Sequence, residues 1–263
     1  GRKVKIIKKI WLKTCLLDQK KYVKTLMNAI EKRQLNLEDV EFDVTDNHIV
    51  QTIEKSLTDE NEFKQLFAID LIKTMPLSPW KNTLTDLFKN GTVNVKKAVL
   101  ELAKDKPDII IDQDIIDASK QSEDIRSEAI AVAGERKLSV LSDELQKNIS
   151  HNDLTIRSAS ACSLVKMNEH VEAAKTVMQK LLNSADMNEN KIALQFLDKP
   201  MGILDDYKLI GFLQHKSPEI REESLKIAGT RQNLEFMDHI IGNLAYPQSA
   251  IQARQALSGF DEE

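Results

Sequence analysis

A short pattern, Ile-Arg-x-x-Ala or Ser, returns along this chain at nearly constant spacing. It reads Ile125-Arg126-Ser127-Glu128-Ala129, Ile156-Arg157-Ser158-Ala159-Ser160 and Ile220-Arg221-Glu222-Glu223-Ser224. Looser copies stand at Phe63-Lys64, Val95-Lys96, Glu189-Asn190 and Ile251-Gln252. The second residues fall at 64, 96, 126, 157, 190, 221 and 252, in steps of 32, 30, 31, 33, 31 and 31. A unit recurring at such a period buries its apolar face by stacking on its neighbours. The spacing therefore predicts a row of seven similar supersecondary units.

A period of this length holds two helices of about eleven residues each and two turns. In one copy Leu138, Leu141, Leu145 and Ile149 form an apolar stripe on a first helix. His151-Asn152-Asp153 makes the turn, Asp153 caps a second helix, and Ile156, Ser160 or Ala161, and Leu164 mark one face of that helix. Elsewhere Lys216-Ser217-Pro218 supplies a serine cap and a proline at the first helical position. Asn90-Gly91 and Tyr246-Pro247 are the corresponding turns in two further copies. Gly134, Gly229 and Gly259 each fall about eight residues beyond the motif, where a helix ends or passes close to its neighbour. No stretch alternates in the manner of a strand, and the run Ile109-Ile110-Ile111 is expected to open a buried helix. The expected fold is all-α, an α-solenoid of about seven helical hairpins with an N-terminal capping segment. Residues 1–41 would be the arm and cap, and residues 42–263 the repeat array.

Charge is distributed unevenly. Residues 1–33 carry eleven Lys and Arg against two acidic residues, a net +9, which leaves −13 for the rest of a chain whose total is −4. Within the arm, Val4, Ile7, Ile10 and Trp11 follow helical spacing among Arg2, Lys3, Lys5, Lys8, Lys9 and Lys13. Such a basic amphipathic helix suits an anionic membrane surface, where each basic residue contributes on the order of 1 kcal/mol. It equally suits a cap that packs its apolar stripe on the first hairpin. The acidic remainder argues against nucleic acid, whose phosphates need a continuous positive surface. No apolar run approaches the roughly 18 residues of a membrane span. Cys15 and Cys162 lie far apart without metal-type spacing, which favours free thiols in a reducing compartment. Residue 1 is Gly and the sequence starts inside a helical pattern, so a piece of a longer protein is expected.

The residues expected to carry chemistry form no catalytic constellation. Histidines 48, 151, 170, 215 and 239 show no metal-ligand spacing, and no glycine-rich loop resembles a phosphate cradle. Asp112 with Asp114, Asp205-Asp206 and Glu222-Glu223 are expected on solvated faces of a highly charged chain. No catalytic residue, cofactor or metal site is predicted. Lys64, Lys96, Arg126, Arg157 and Arg221 would form a positive ladder, either bonding carboxylates and carbonyls between repeats or meeting the acidic segment of a partner.

The unit of an apolar helix, a short polar turn and Ile/Val-Arg-x-x-Ala resembles a short HEAT repeat over roughly residues 46–260. The aspartate usual in that family's turn is mostly replaced, by His151, Asn152 and Lys216. A narrower stretch, Lys21-Tyr22-Val23-Lys24-Thr25-Leu26, then Ala29 to Glu38 and Asp43-Val44-Thr45-Asp46, is similar to the junction between the membrane and HEAT parts of bacterial ADP/ATP-carrier-like proteins. That resemblance implies a non-enzymatic, protein-binding or regulatory scaffold, the cytosolic extension of a membrane transporter at the inner membrane, with protein partners or an attached transmembrane domain. The alternative is an enzyme on a HEAT-like frame, such as an alkylated-base DNA glycosylase or a bilin lyase.

Overall fold

The computed structural model describes residues 47–260, apart from 74, 105, 122 and 198–201. Among them there is no strand, and the helices come in sequential pairs. The chain divides into two compact units, Gly1–Ile111 and Asp112–Glu263. The boundary expected between residues 41 and 42 lies outside the described residues.

The first unit contains α1 (Asn47–Leu57) paired with α2 (Glu62–Leu71), and α3 (Lys81–Asn90) paired with α4 (Val93–Ala103). Helix α1 also rests on α3, and α2 on α4. A 3-10 turn, Ser78–Trp80, leads into α3 and puts Trp80 in the core with no exposed surface. Its indole N-H would be costly to bury unpaired, and it donates to the Val50 carbonyl of α1 at 3.2 Å.

The second unit contains five pairs. They are α5 (Asp112–Gln121) with α6 (Glu123–Glu135), α7 (Ser142–Asn148) with α8 (Leu154–Met167), α9 (Val171–Leu182) with α10 (Met187–Gln195), α11 (Asp206–Leu213) with α12 (Pro218–Arg231), and α13 (Met237–Asn243) with α14 (Ala250–Ser258). The second helices pack in order, α6 on α8, α8 on α10, α10 on α12 and α12 on α14. All-helical, repeat-like packing thus follows the period read from the sequence.

Helix starts are set by side chains that accept the free N-H groups of the first turn. Asp153 accepts from Thr155 at 2.7 Å and Ile156 at 3.2 Å, Asp186 from Asn188 at 2.8 Å, and Asp205 from Lys208 at 2.7 Å. Ser217 departs from its expected role. It occupies the cap position before Pro218, yet its hydroxyl donates to Glu219 Oε2 at 2.5 Å and caps no N-H.

Two local expectations are corrected. Ile109 and Ile110 are buried, but they lie in a turn, and Ile111 is exposed; the helix opens only at Asp112. Asp112 and Asp114 supply negative charge to that helix start, a position the macrodipole favours. The stripe of Leu138, Leu141, Leu145 and Ile149 does not run along one continuous helix either. A 3-10 turn, Ser139–Leu141, precedes the seven-residue α7, and only Leu141 and Leu145 reach the core.

Close approach between second helices depends on small residues. Helix α8 touches α6, α7, α9 and α10, and every residue from Ser158 to Leu164 is buried. A helix surrounded on this many sides has no polar face to give away. Where α6 crosses α8, a Cβ on Gly134 would lie 2.7 Å from Ser163 Cα, and the Ser163 hydroxyl donates across to the Ile130 carbonyl at 2.8 Å. Where α12 crosses α14, a Cβ on Gly229 would lie 2.8 Å from Ala256 Cα.

Candidate functional site

The fourth residue of four second helices, α2, α8, α10 and α12, has a recurring task. Its side chain reaches back to the carbonyl six positions earlier and so closes the turn of its own hairpin. Gln65 donates to the Asp59 carbonyl at 2.9 Å, and Arg157 through Nε to the His151 carbonyl at 2.8 Å. Asn190 donates to the Ser184 carbonyl at 3.1 Å and to that of Leu181 at 2.8 Å. Arg221 donates through Nη1 to the carbonyls of His215 at 2.8 Å and Lys216 at 3.1 Å. Arg126 differs by one position, donating through Nε to the Ser119 carbonyl at 2.8 Å.

The residue whose carbonyl is held also uses its side chain to accept the N-H of the helix-capping residue two positions on. Asp59 Oδ1 accepts from Asn61 at 2.9 Å, His151 Nδ1 from Asp153 at 3.0 Å, Ser184 Oγ from Asp186 at 3.1 Å, and His215 Nδ1 from Ser217 at 3.1 Å. Three residue types fill one position because each offers a short-range acceptor. The turn is thus clamped twice, through the carbonyl and through the side chain of a single residue.

This geometry places the motif one residue differently at the two outer copies. Phe63 and Ile251 are 66% and 63% exposed, whereas Val95, Ile125, Ile156 and Ile220 are buried. Gln65 performs the clamp in the first copy, with Lys64 just before it, and the buried Ala253 takes that position in the last.

The five members of the expected ladder therefore have different surroundings. Lys64 pairs with Asp59 at 2.8 Å. The Lys96 ammonium makes no hydrogen bond or ion pair among the described residues. Arg126 reaches the next hairpin, with Nη2 at 3.4 Å from both Glu144 Oε1 and Asn148 Oδ1. Arg221, only 5% exposed, also reaches the next hairpin, lying 4.5 Å from the Tyr246 ring centroid and 3.4 Å from Ser249 Oγ. Arg157 is half-buried and uses Nε alone, so its two terminal nitrogens carry charge with no partner among the described residues.

A second pairing was not read from the sequence. Ten residues beyond the motif arginine, Arg136 meets Asp112 at 2.9 Å and Arg231 meets Asp206 at 2.5 Å. Arg231 also donates to the Leu204 carbonyl at 2.7 Å, and Asn233 to Asp206 Oδ2 at 2.9 Å. These bonds tie the end of a second helix to the start of its first. Asp112 and Asp206, expected to be merely solvated, are half of these links. Their own side chains are 57% and 43% exposed, so solvent screening keeps each ion pair at or below about 1 kcal/mol. The signal was the offset from the motif, visible only once the hairpin ends are known to meet.

Titration follows the same local bonds. The Thr155 hydroxyl, with the N-H groups of Ile156 and Thr155 and the nearby His151, holds the Asp153 carboxyl below the usual range. Burial, with Lys216 and Arg221 alongside, holds His215 below the usual imidazole range. Desolvation lowers Lys208, which lies 5.8 Å over the Phe212 ring.

Among the described residues no three His, Cys, Asp or Glu side chains converge in a metal-binding group. Cys162 is buried and forms no disulfide among the described residues. Arg2, Lys3, Lys5, Lys8, Lys9, Trp11 and Lys13, expected at a membrane surface, lie outside the described residues. No helix among the described residues is long and apolar enough to cross a membrane.

No family model and no curated protein matches this chain. Among solved structures, human deoxyhypusine hydroxylase in complex with glycerol aligns at a TM-score of 0.44 and 11% identity, over 82% of this chain and 96% of that one. An engineered protein aligns at a TM-score of 0.33 and 16% identity, over 81% of this chain and 99% of that one. The expectation of a non-enzymatic scaffold belonging to a membrane transporter is corrected by the first of these. A helical repeat-like frame does not by itself fix a function, so it gives no ground for calling the chain non-enzymatic. Nothing in these comparisons names a transporter.

Proposed function

We propose that the five-hairpin unit recognises a protein segment bearing carboxylates, with Arg157 as a principal contact. The supporting observation is the half-buried guanidinium of Arg157, anchored at Nε by the His151 carbonyl while its terminal nitrogens have no partner among the described residues. A guanidinium held by one edge presents the other in a fixed fork suited to a carboxylate. Recognition of this kind serves an enzyme that acts on a macromolecule.

The test uses the full chain and fluorescein-labelled peptides, one set rich in Asp and Glu and one with Asn and Gln in their place. Acidic peptides are expected to bind more tightly, in a salt-sensitive manner. Arg157→Gln should weaken that binding about tenfold while shifting the melting temperature by less than about 3 °C. Equal binding of both sets, or an Arg157→Gln variant that binds as the parent does, rejects the reading.

A further inference from the structure

The turn between α11 and α12 is held through one residue, by its side chain and by its carbonyl. His215 Nδ1 accepts the N-H of Ser217, the His215 carbonyl accepts Arg221 Nη1, and Arg221 in turn touches Ser249 and Tyr246 of the next hairpin. An imidazole accepts through Nδ1 only when that nitrogen is unprotonated. We infer that the His215 turn is a pH-sensitive clamp, closed while His215 is neutral and opened by its protonation, which loosens the α13–α14 hairpin from α11 and α12.

Protonation would set an N-H on Nδ1 directly against the Ser217 N-H, with 3.1 Å between the two nitrogens. The charged groups around the ring oppose that proton further. Lys216 is adjacent in the chain, and the Arg221 guanidinium is bonded to the carbonyls of both His215 and Lys216. Glu219, in the first turn of α12, is taken up by the Ser217 hydroxyl and by proximity to Lys191 and Arg221. From α13, His239 contributes a second imidazole, bonded at 3.0 Å to Gln214, the neighbour of His215. From the following turn, Tyr246 and Ser249 meet the Arg221 guanidinium.

The depressed pKa of His215 agrees with this picture and gives its direction. The unfolded chain binds the proton more readily than the folded one, so stability rises with pH across this range. The contribution is complete above the ordinary imidazole range, about pH 6.5, and is lost as pH falls below it toward the folded value.

Other hairpins of the same chain supply a control. Ser184 fills the position of His215 in the α9–α10 turn and accepts the capping N-H through a hydroxyl, which does not titrate here. His215→Ser should therefore keep the turn closed without pH sensitivity.

The experiment is hydrogen exchange on the full chain at pH 7.5 and pH 5.5, corrected for intrinsic exchange, comparing the parent with His215→Ser. In the parent, protection across residues 217–231 and 237–258 is expected to fall by about fivefold or more at pH 5.5. In His215→Ser the two pH values should give the same protection. A parent with no pH dependence in these segments overturns the inference. So does a pH dependence that persists in His215→Ser, since it would then belong to His239 or another group. If the serine variant is unprotected at both pH values, His215→Asn, which also offers an acceptor oxygen, replaces it; pH-dependent exchange in that variant overturns the inference and its absence supports it.

Discussion

Removing the Arg221 side chain leaves the carbonyls of His215 and Lys216 without their shared donor and strips Tyr246 of its stacking partner. Arg221 is itself only 5% exposed, so its removal leaves a cavity as well as broken bonds, and Arg221→Ala is expected to cost about 2–4 kcal/mol. Arg157→Ala removes a single bond at a half-buried position and should cost only about 1 kcal/mol. Urea unfolding of both variants, extrapolated to water, measures the difference; equal losses would show that the two arginines are not distinguished by their surroundings. Ile-Arg was legible in the sequence as a repeated dipeptide, but this difference was not. What separates Arg221 from Arg157 is whether the following hairpin supplies an aromatic ring and a hydroxyl at the right depth, as Tyr246 and Ser249 do. The copies that lost the arginine were harder still to read. Asn190 and Gln65 perform the same clamp with a shorter arm, and only their bonds to Ser184 and Asp59 reveal it.

Between elements, spacing is fixed by what the helix crossings omit. Gly134 and Gly229 occupy equivalent places eight residues past the motif arginine, and each faces the next second helix where a methyl group has no room. Gly229→Ala meets the backbone of Ala256, which cannot rotate away, so α12 and α14 must separate. The expected cost is about 1–3 kcal/mol, despite the gain in helix propensity that alanine brings. Gly211→Ala, with open space around its Cβ, should instead stabilise by up to about 1 kcal/mol and serves as the control. Thermal unfolding of the two variants decides the matter, and a stabilised Gly229→Ala would refute the tight crossing. The sequence pointed to these glycines through their common offset and left helix ending and close passage as alternatives; close passage applies at 134 and 229. The 3-10 entry into α7 escaped it, because a stripe of leucines at three- and four-residue spacing reads alike whether its first turn is α or 3-10.

At the scale of the whole molecule, the uniform period suggested one continuous array, whereas the chain divides into the units Gly1–Ile111 and Asp112–Glu263. The division was not legible because the repeat grammar is the same on both sides of residue 111; no gap in spacing or composition marks it. It has a thermodynamic consequence. A helical hairpin cannot bury its apolar face alone, and about three or more stacked hairpins are needed for a stable core. The second unit has five, with its second helices packed in sequence from α6 to α14, and it contains its own clamps at Arg157, Asn190 and Arg221. A fragment of residues 112–263 is therefore expected to fold alone, with a helical circular dichroism spectrum and a cooperative melt. A fragment of residues 47–111 holds only two described hairpins, near the size at which a chain buries too little surface to offset its conformational entropy. That fragment should show weak helicity and no cooperative transition, even though Trp80 and its bond to Val50 lie within it. Trp80 fluorescence gives a direct readout. A blue-shifted, cooperatively melting 47–111 fragment, or a 112–263 fragment without a cooperative melt, would show that hairpin number does not set the folding unit in this chain.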